Sequence, residues 1–313
     1  MALRVCDDRP MTTQSFTIEP KGRFSLAAAQ DFAEGFPAGT GASGQTGGLL
    51  MTFPIEGWRG SAAVNVRQDA DGTIHGETAD ANELDTVTGQ VARSLSIDHD
   101  GTGWIEVGDR DPVLGAVQKR YGWLRPVCFF SAYEAATSFV IGHRISMRQA
   151  RIVKERLGTD FGDETNLGGQ TVHAFPRPQR LLEATSVKGL SQVKVERLHG
   201  LAQAAIDGRL MTDRLREMPE AEALDDLERL PGVGPWTAQA VLMRGCGVAD
   251  AIPLKDDISR AAVASFYDLS DLPDDVQWAT ISDPWRPFRM WATVLLHMAW
   301  RREEPTPSYR QSR

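Results

Sequence analysis

Residues 230–241 read LPGVGPWTAQAV, a turn with two glycines and two prolines followed at once by a helix-forming run. The stretch before it is helical in pattern too, so the segment predicts a helical hairpin (222–229, then 235–244). Leu227 and Leu230 close the first helix, and Ala238, Val241 and Leu242 line the second. Gly232 and Gly234 allow backbone conformations that other residues resist. Pro235 suits a first helical position, where its missing N–H costs nothing. Such a turn leaves backbone amides bare at a helix N-terminus, with the helix dipole behind them. That makes an anion site without a basic side chain. A plain helix–helix turn with glycines for geometry alone accounts for the same residues, so the rest of the chain has to decide.

The flanking sequence has two textures. SFTIEP reads as a strand, FSLAAAQDFAEGF as a helix, and a Gly-rich loop follows. LLMTFPIEG, SAAVNVRQD and TIHGETAD then read as strands bounded by Gly and Asp turns, and ELDTVTGQVARSL as a helix. This predicts an α+β N-terminal domain over 15–120, a small antiparallel sheet with two helices. From about Tyr121 helical spacing takes over: 129–141, 146–157, 178–184, 191–206, 211–217, 222–229, 235–244, 257–266 and 287–301. An all-α domain is expected over 121–303, a polar tail over 304–313, and disorder over 1–14. A chain of 313 residues is long enough for such cores.

Charge and cysteine content narrow the function classes. The net charge of −8 argues against a basic tail for a polyanion. However, residues 1–120 carry 10 Lys and Arg against 17 Asp and Glu, whereas 121–313 carry 24 against 25. The acidity therefore belongs to the first third, and a local basic surface is compatible with the remainder. Only Cys6, Cys128 and Cys246 occur, far apart, which disfavours a disulfide framework, a zinc site or an iron–sulfur cluster. No run of about 18 uncharged apolar residues is present, and the N-terminus lacks a signal-peptide core; neither a membrane nor export is expected. A cytoplasmic location is.

Downstream of the hairpin, IPLKDDISRAAV places Asp256 and Asp257 before a helical run. In isolation such a pair suits an N-cap and a first-turn acid. Combined with LPGVGxxTA, it resembles the helix-hairpin-helix DNA glycosylase superfamily, in which an aspartate at the start of the next helix is the catalytic carboxylate. Bifunctional members carry a nucleophilic lysine where this chain has Trp236, and a tryptophan forms no Schiff base. Trp at that place is similar to the alkylpurine (3-methyladenine) DNA glycosylase II family. FFSAYEAATSFVIGHRISMRQARIVKERLG, GLSQVKVERLHGLAQAAIDGRL and WRPFRMWATVLLHMAW resemble its opening, middle and closing helices. The likeness covers roughly 15–301.

What the resemblance implies is a monofunctional glycosylase that flips and hydrolytically excises alkylated purines from duplex DNA, with two helical subdomains flanking its cleft. Alignment from Trp236 assigns the catalytic role to Asp257, with Asp256 as cap or support. Trp236, Phe288, Trp285, Ala240, Ile258 and His143 would form the base pocket. Arg144, Gly232, Val233, Gly234, Trp236, Thr237 and Lys255 would meet DNA. Carbonyls of Glu228, Leu230 and Val233 would hold a structural Na+ or K+. No catalytic cofactor and a monomer are expected. The chain departs from the family at His143 (usually Gln), at Arg144 in the wedge position, and at Ala240 and Ile258, where tyrosines are known. Phe288 replaces a tryptophan of the closing helix. Trp291 and Trp300 read as core. Rival readings are a helix-hairpin-helix DNA-binding protein without chemistry, a glycosylase for a bulky or oxidised base, and an interaction module built on the acidic N-terminal region.

Overall fold

The computed structural model describes residues 13–35, 42–43, 48–79, 83–167 and 170–303. The first layer comprises β1 (Gln14–Ile18), α1 (Leu26–Gly35), β2 (Ala42–Ser43), β3 (Leu49–Pro54), β4 (Ser61–Gln68) and β5 (Ile74–Thr78). The sheet runs β1-β5-β4-β3-β2, and every neighbouring pair is antiparallel. Short turns place β3, β4 and β5 side by side, as consecutive strands tend to lie. β1 alternates half-buried and exposed residues, the mark of a strand with one wet face, whereas β3 is buried throughout.

Helices α2 (Leu84–Ser94), α3 (Trp104–Arg110) and α4 (Pro112–Arg120) follow. The sequence predicts two helices over 15–120, and the described residues there form four. The additional pair is short, and Asp111 separates its members. Its carboxylate caps α4 by accepting the N–H groups of Val113 (3.1 Å) and Leu114 (3.2 Å). Neither helix is long enough to show a full apolar period.

The remainder consists of α5 (Ala132–Gly142), α6 (Met147–Phe161), β6 (Glu164–Leu167), β7 (Gln170–His173), α7 (Pro178–Leu181), α8 (Gln192–Ile206), α9 (Thr212–Glu217), α10 (Glu220–Glu228), α11 (Pro235–Ala240), α12 (Asp257–Phe266), α13 (Asp275–Ser282) and α14 (Arg289–Glu303). Serines start the long helices: Ser131 accepts from the Glu134 N–H (3.1 Å), and Ser146 forms a capping box with Gln149. The expected all-α region is not purely helical, because β6 and β7 pair antiparallel. Four-residue strands are too short to show alternation in sequence. Asp163, just before β6, holds this hairpin to the sheet layer through the Ser61 hydroxyl (2.7 Å) and the Arg177 guanidinium. α13 was not expected either, although Asp274 and Gln277 form its capping box.

Two large cores organise the chain. One joins β3, β4 and β5 to α2, α3 and α4 and to the inner face of α14, with Trp104, Trp285 and Trp291 at its centre. Residues on both sides of position 120 thus share a single core. The other is built from α5, α6, α8, α10 and α11. Residues 1–12, most of the Gly-rich loop and the tail 304–313 lie outside the described residues, as do the readings made for them.

Candidate active site

The hairpin forms as its residues dictate. Leu230 donates its N–H to the Leu227 carbonyl (3.0 Å), and Val233 donates to Leu230 (3.1 Å). Gly232 has φ +82°, and a Cβ there would sit 2.8 Å from Arg197 Cδ. Gly234 is extended and caps α11, its carbonyl accepting the Ala238 N–H (2.8 Å). The second helix, expected over 235–244, is α-helical only to Ala240 and continues as a π-helical turn, Val241–Gly245. Such turns are frequent at functional sites. Here Met243 and Arg244 line a cavity.

That cavity has a volume of about 380 Å³, enough for one planar base, and its walls are mainly apolar. It lies where the second core meets α12 and α14. Trp236, 39% exposed, stands at its mouth and meets Phe139 edge-on at 5.4 Å. Phe139 meets Phe129 in the same way at 5.4 Å. Beyond Phe129 lies the Lys154 ammonium, 5.2 Å from the ring and 3.2 Å from Glu134 Oε1. Ala240, Ile258 and His143, expected in the base pocket, and Arg144, expected at the DNA, all line the cavity.

The acidic pair is divided by the first turn of α12. Asp256 is the N-cap and lines the cavity, its carboxylate accepting the Ile258 N–H (3.3 Å) and the Ser259 hydroxyl. Asp257 is exposed and opens onto a separate shallow groove with Lys255 and Val276. Asp256, and not the Asp257 to which the sequence reading gives the catalytic role, is the carboxylate that lines the cavity. The cause is geometric: Asp256 is the extended N-cap and Asp257 the first helical residue, so the two side chains leave the backbone in different directions.

Two expected pocket aromatics are elsewhere. Trp285 is fully buried, with its indole N–H donated to Asp111 Oδ2 at 2.7 Å. Phe288 is stacked on Trp291 (4.5 Å) and edge-on to Trp104 (5.8 Å). Both are core residues of the sheet layer. Lys255 borders the shallow groove and not the cavity, and its backbone N–H donates to Gln239 Oε1 (3.1 Å). The Val233 and Thr237 side chains are buried, so at those positions a DNA contact is restricted to the main chain.

Around the mouth, Lys194 donates to the carbonyls of Ile141 (2.8 Å) and His143 (2.6 Å), where α5 ends. The next residue, Arg144, is exposed and has φ +55°, a conformation uncommon for a residue with a side chain. His143 Nε2 lies 3.4 Å from Thr237 Oγ1, linking this loop to the hairpin. Burial and the nearby charges of Lys194, Arg197 and Arg144 lower the His143 pKa. His297, on the α14 wall, is pushed down to about 4 by burial; Asp256 opposes the shift, and Arg301 and Arg244 add to it. Arg144, Lys154, Arg244 and Arg301 share the lining with the Asp256 carboxylate. A chain of net charge −8 thus has a basic cleft.

Sequence reasoning missed Phe129, Ser138, Phe139, Lys154, Arg244 and His297 as cavity residues. Phe139 and His143 are one helical turn apart, a signal that could have been used. Lys154 gave none, since a lysine in an amphipathic helix ordinarily reads as solvated.

The class follows from fold and site together. The chain superposes on the 3-methyladenine DNA-glycosylase from Archaeoglobus fulgidus with a TM-score of 0.77 at 22% identity, covering 93% of this chain and 100% of that one. This establishes the helix-hairpin-helix glycosylase fold. A DNA-3-methyladenine glycosylase of Bacillus subtilis is 28% identical over 207 residues, 64% of this chain and 68% of that protein. A probable bifunctional transcriptional activator/DNA repair enzyme of Mycobacterium tuberculosis is 30% identical over 217 residues, 68% of this chain but only 42% of that protein. No protein-family model matches. Over about two thirds of its length the chain is thus similar to DNA-3-methyladenine glycosylases. Among the described residues, no helix is long and apolar enough to cross a membrane.

Proposed function

We propose that the protein is a monofunctional DNA glycosylase that draws an alkylated purine out of duplex DNA and hydrolyses its N-glycosyl bond. The observation that carries this reading is the position of Asp256. It faces a base-sized cavity from the helix that follows the hairpin, and Trp236 occupies the hairpin position where a lyase would need a lysine.

A base in the stack is out of reach, so the nucleotide has to be extruded, which is cheapest at a damaged pair. Trp236 and Phe139 offer aromatic faces and edges to the extruded base. Asp256, oriented by Ile258 and Ser259, would stabilise the oxocarbenium-like sugar and align the attacking water. Alkylation at N3 or N7 leaves the purine positively charged and already a good leaving group, so little general-acid help is required. Arg144, exposed on the loop that Lys194 holds, would fill the gap in the duplex.

The hairpin would grip one phosphate through its bare amides. The family's monovalent cation fits here in chemical kind: Glu228, Leu230 and Val233 offer main-chain oxygens, and Leu230 and Val233 are joined within one tight turn. Bound there, Na+ or K+ would offset phosphate charge without a basic side chain. The test is release of free bases from dimethyl sulfate-treated duplex DNA by the wild type and by Asp256→Asn. Release by the wild type and its loss in the variant support the reading; equal release by both overturns the role of Asp256.

A further inference from the structure

The inner end of the cavity differs chemically from its mouth. From Trp236 the wall runs through Phe139 and Phe129 to Lys154, which is only 7% exposed. Ser138, likewise 7% exposed, lines the same space, and its hydroxyl has no hydrogen-bond partner among the described residues. A buried polar atom left unmatched calls for an explanation, and in a binding cavity a ligand atom supplies one.

The chemistry of these two groups restricts that atom. An ammonium only donates, whereas a hydroxyl rotates to suit. With the Lys154 ammonium lining the same cavity, a base atom that accepts is favoured and one that donates is opposed. Guanine-type purines present an acceptor oxygen at C6, and adenine-type purines present an amino donor there. Apolar walls discriminate weakly between such bases, while a polar group built to bond one of them rejects the other strongly. Resting on the glycosylase reading above, we infer that Ser138 and Lys154 form the base-reading end of the pocket and select a 6-oxopurine lesion over the 6-aminopurine carrying the same alkyl group.

The test compares 3-methylguanine with 3-methyladenine, both released from radiolabelled methylated DNA and separated by chromatography. Each enzymatic rate is divided by the spontaneous loss of the same base. The wild type is expected to favour 3-methylguanine by about tenfold or more, the scale of one charge-assisted hydrogen bond. Ser138→Ala should bring this ratio toward one, and so should the double variant Lys154→Met/Glu134→Gln, which leaves no lone buried charge. Thermal melting of each variant confirms folding. A wild-type preference for 3-methyladenine, or a ratio unchanged in a folded Ser138→Ala, overturns the inference and leaves the glycosylase reading intact. Release of neither base by the wild type overturns both.

Discussion

The Ser259 hydroxyl donates to the carboxylate of Asp256 three residues earlier, across the first turn of α12. One residue thereby caps a helix and presents a charged oxygen to the cavity. Asp256→Asn should reduce base release by about 10²–10³-fold, the scale seen when a group that stabilises transition-state charge is removed. Asp257→Asn should stay within about threefold of wild type, since surface changes are usually small in effect. Single-turnover release of 7-methylguanine from duplex DNA measures both, and a larger loss in Asp257→Asn would return the role to that residue.

Trp236 stands partly exposed at the cavity mouth against Phe139. Trp236→Ala should lower base release about tenfold or more, an effect of about 1.4 kcal/mol or above, consistent with one lost aromatic contact to a base. Urea unfolding should shift less than for a fully buried tryptophan, because Trp236 is partly in water in the native state. Borohydride should trap no covalent enzyme–DNA adduct in the wild type, and a strong adduct band on a denaturing gel would refute hydrolysis by water.

Lys194 holds the loop that carries Arg144 through two carbonyls. Lys194→Met removes both hydrogen bonds. With a charged donor such bonds contribute about 1.5–3 kcal/mol each when fully sequestered and less at this partly buried site. Base flipping, followed by 2-aminopurine fluorescence opposite an abasic analogue, should weaken more than overall DNA affinity. Equal losses in the two measurements would show that Lys194 acts only through its charge.

Gly232 combines φ +82° with close approach to Arg197 and Val140. Gly232→Ala should therefore destabilise the protein by about 1–2 kcal/mol, from the left-handed backbone alone, with the crowding added. The urea midpoint reports this, and an unchanged midpoint would mean that the hairpin tolerates a side chain there.

His297 makes stability depend on pH. Its folded pKa, about 4, lies below the ordinary histidine value of 6.5, so the native state favours the neutral ring. The contribution is complete above about pH 6.5 and is lost as pH falls toward 4, because the unfolded chain takes up a proton that the folded chain resists. Its ceiling is about 3 kcal/mol. Asp256 from α12, Arg301 from α14 and Arg244 from the π-helical turn set the local field. Urea midpoints at pH 7.5 and 5 should separate more in the wild type than in His297→Leu; identical separations would remove His297 as the cause.

The hairpin, its glycines, Pro235 and the sheet strands β1, β3, β4 and β5 were legible because their signals are local. Turn geometry needs glycine, a first helical turn admits proline, and a strand with one wet face alternates. Ala240, Ile258 and His143 line the cavity, each at a fixed offset from the hairpin or the α5 end. The short elements α3, α4, α13, β6 and β7 were missed because none spans enough residues to show its period.

The sequence by itself determined that a hairpin and a following acidic pair exist, that no lysine stands at Trp236, and that the acidity lies in the first third of the chain. Only the tertiary structure decided which carboxylate faces the cavity. It also sent Trp285 to Asp111 and Phe288 to Trp291, and it buried Lys154 beside Glu134 on a cavity that Ser138 also lines. An aromatic or charged side chain takes its role from the neighbours that enclose it, and here those neighbours are brought together from distant parts of the chain. Direction around a helix and burial between two cores are properties of packing, which one-dimensional spacing specifies only where the turn itself fixes the geometry.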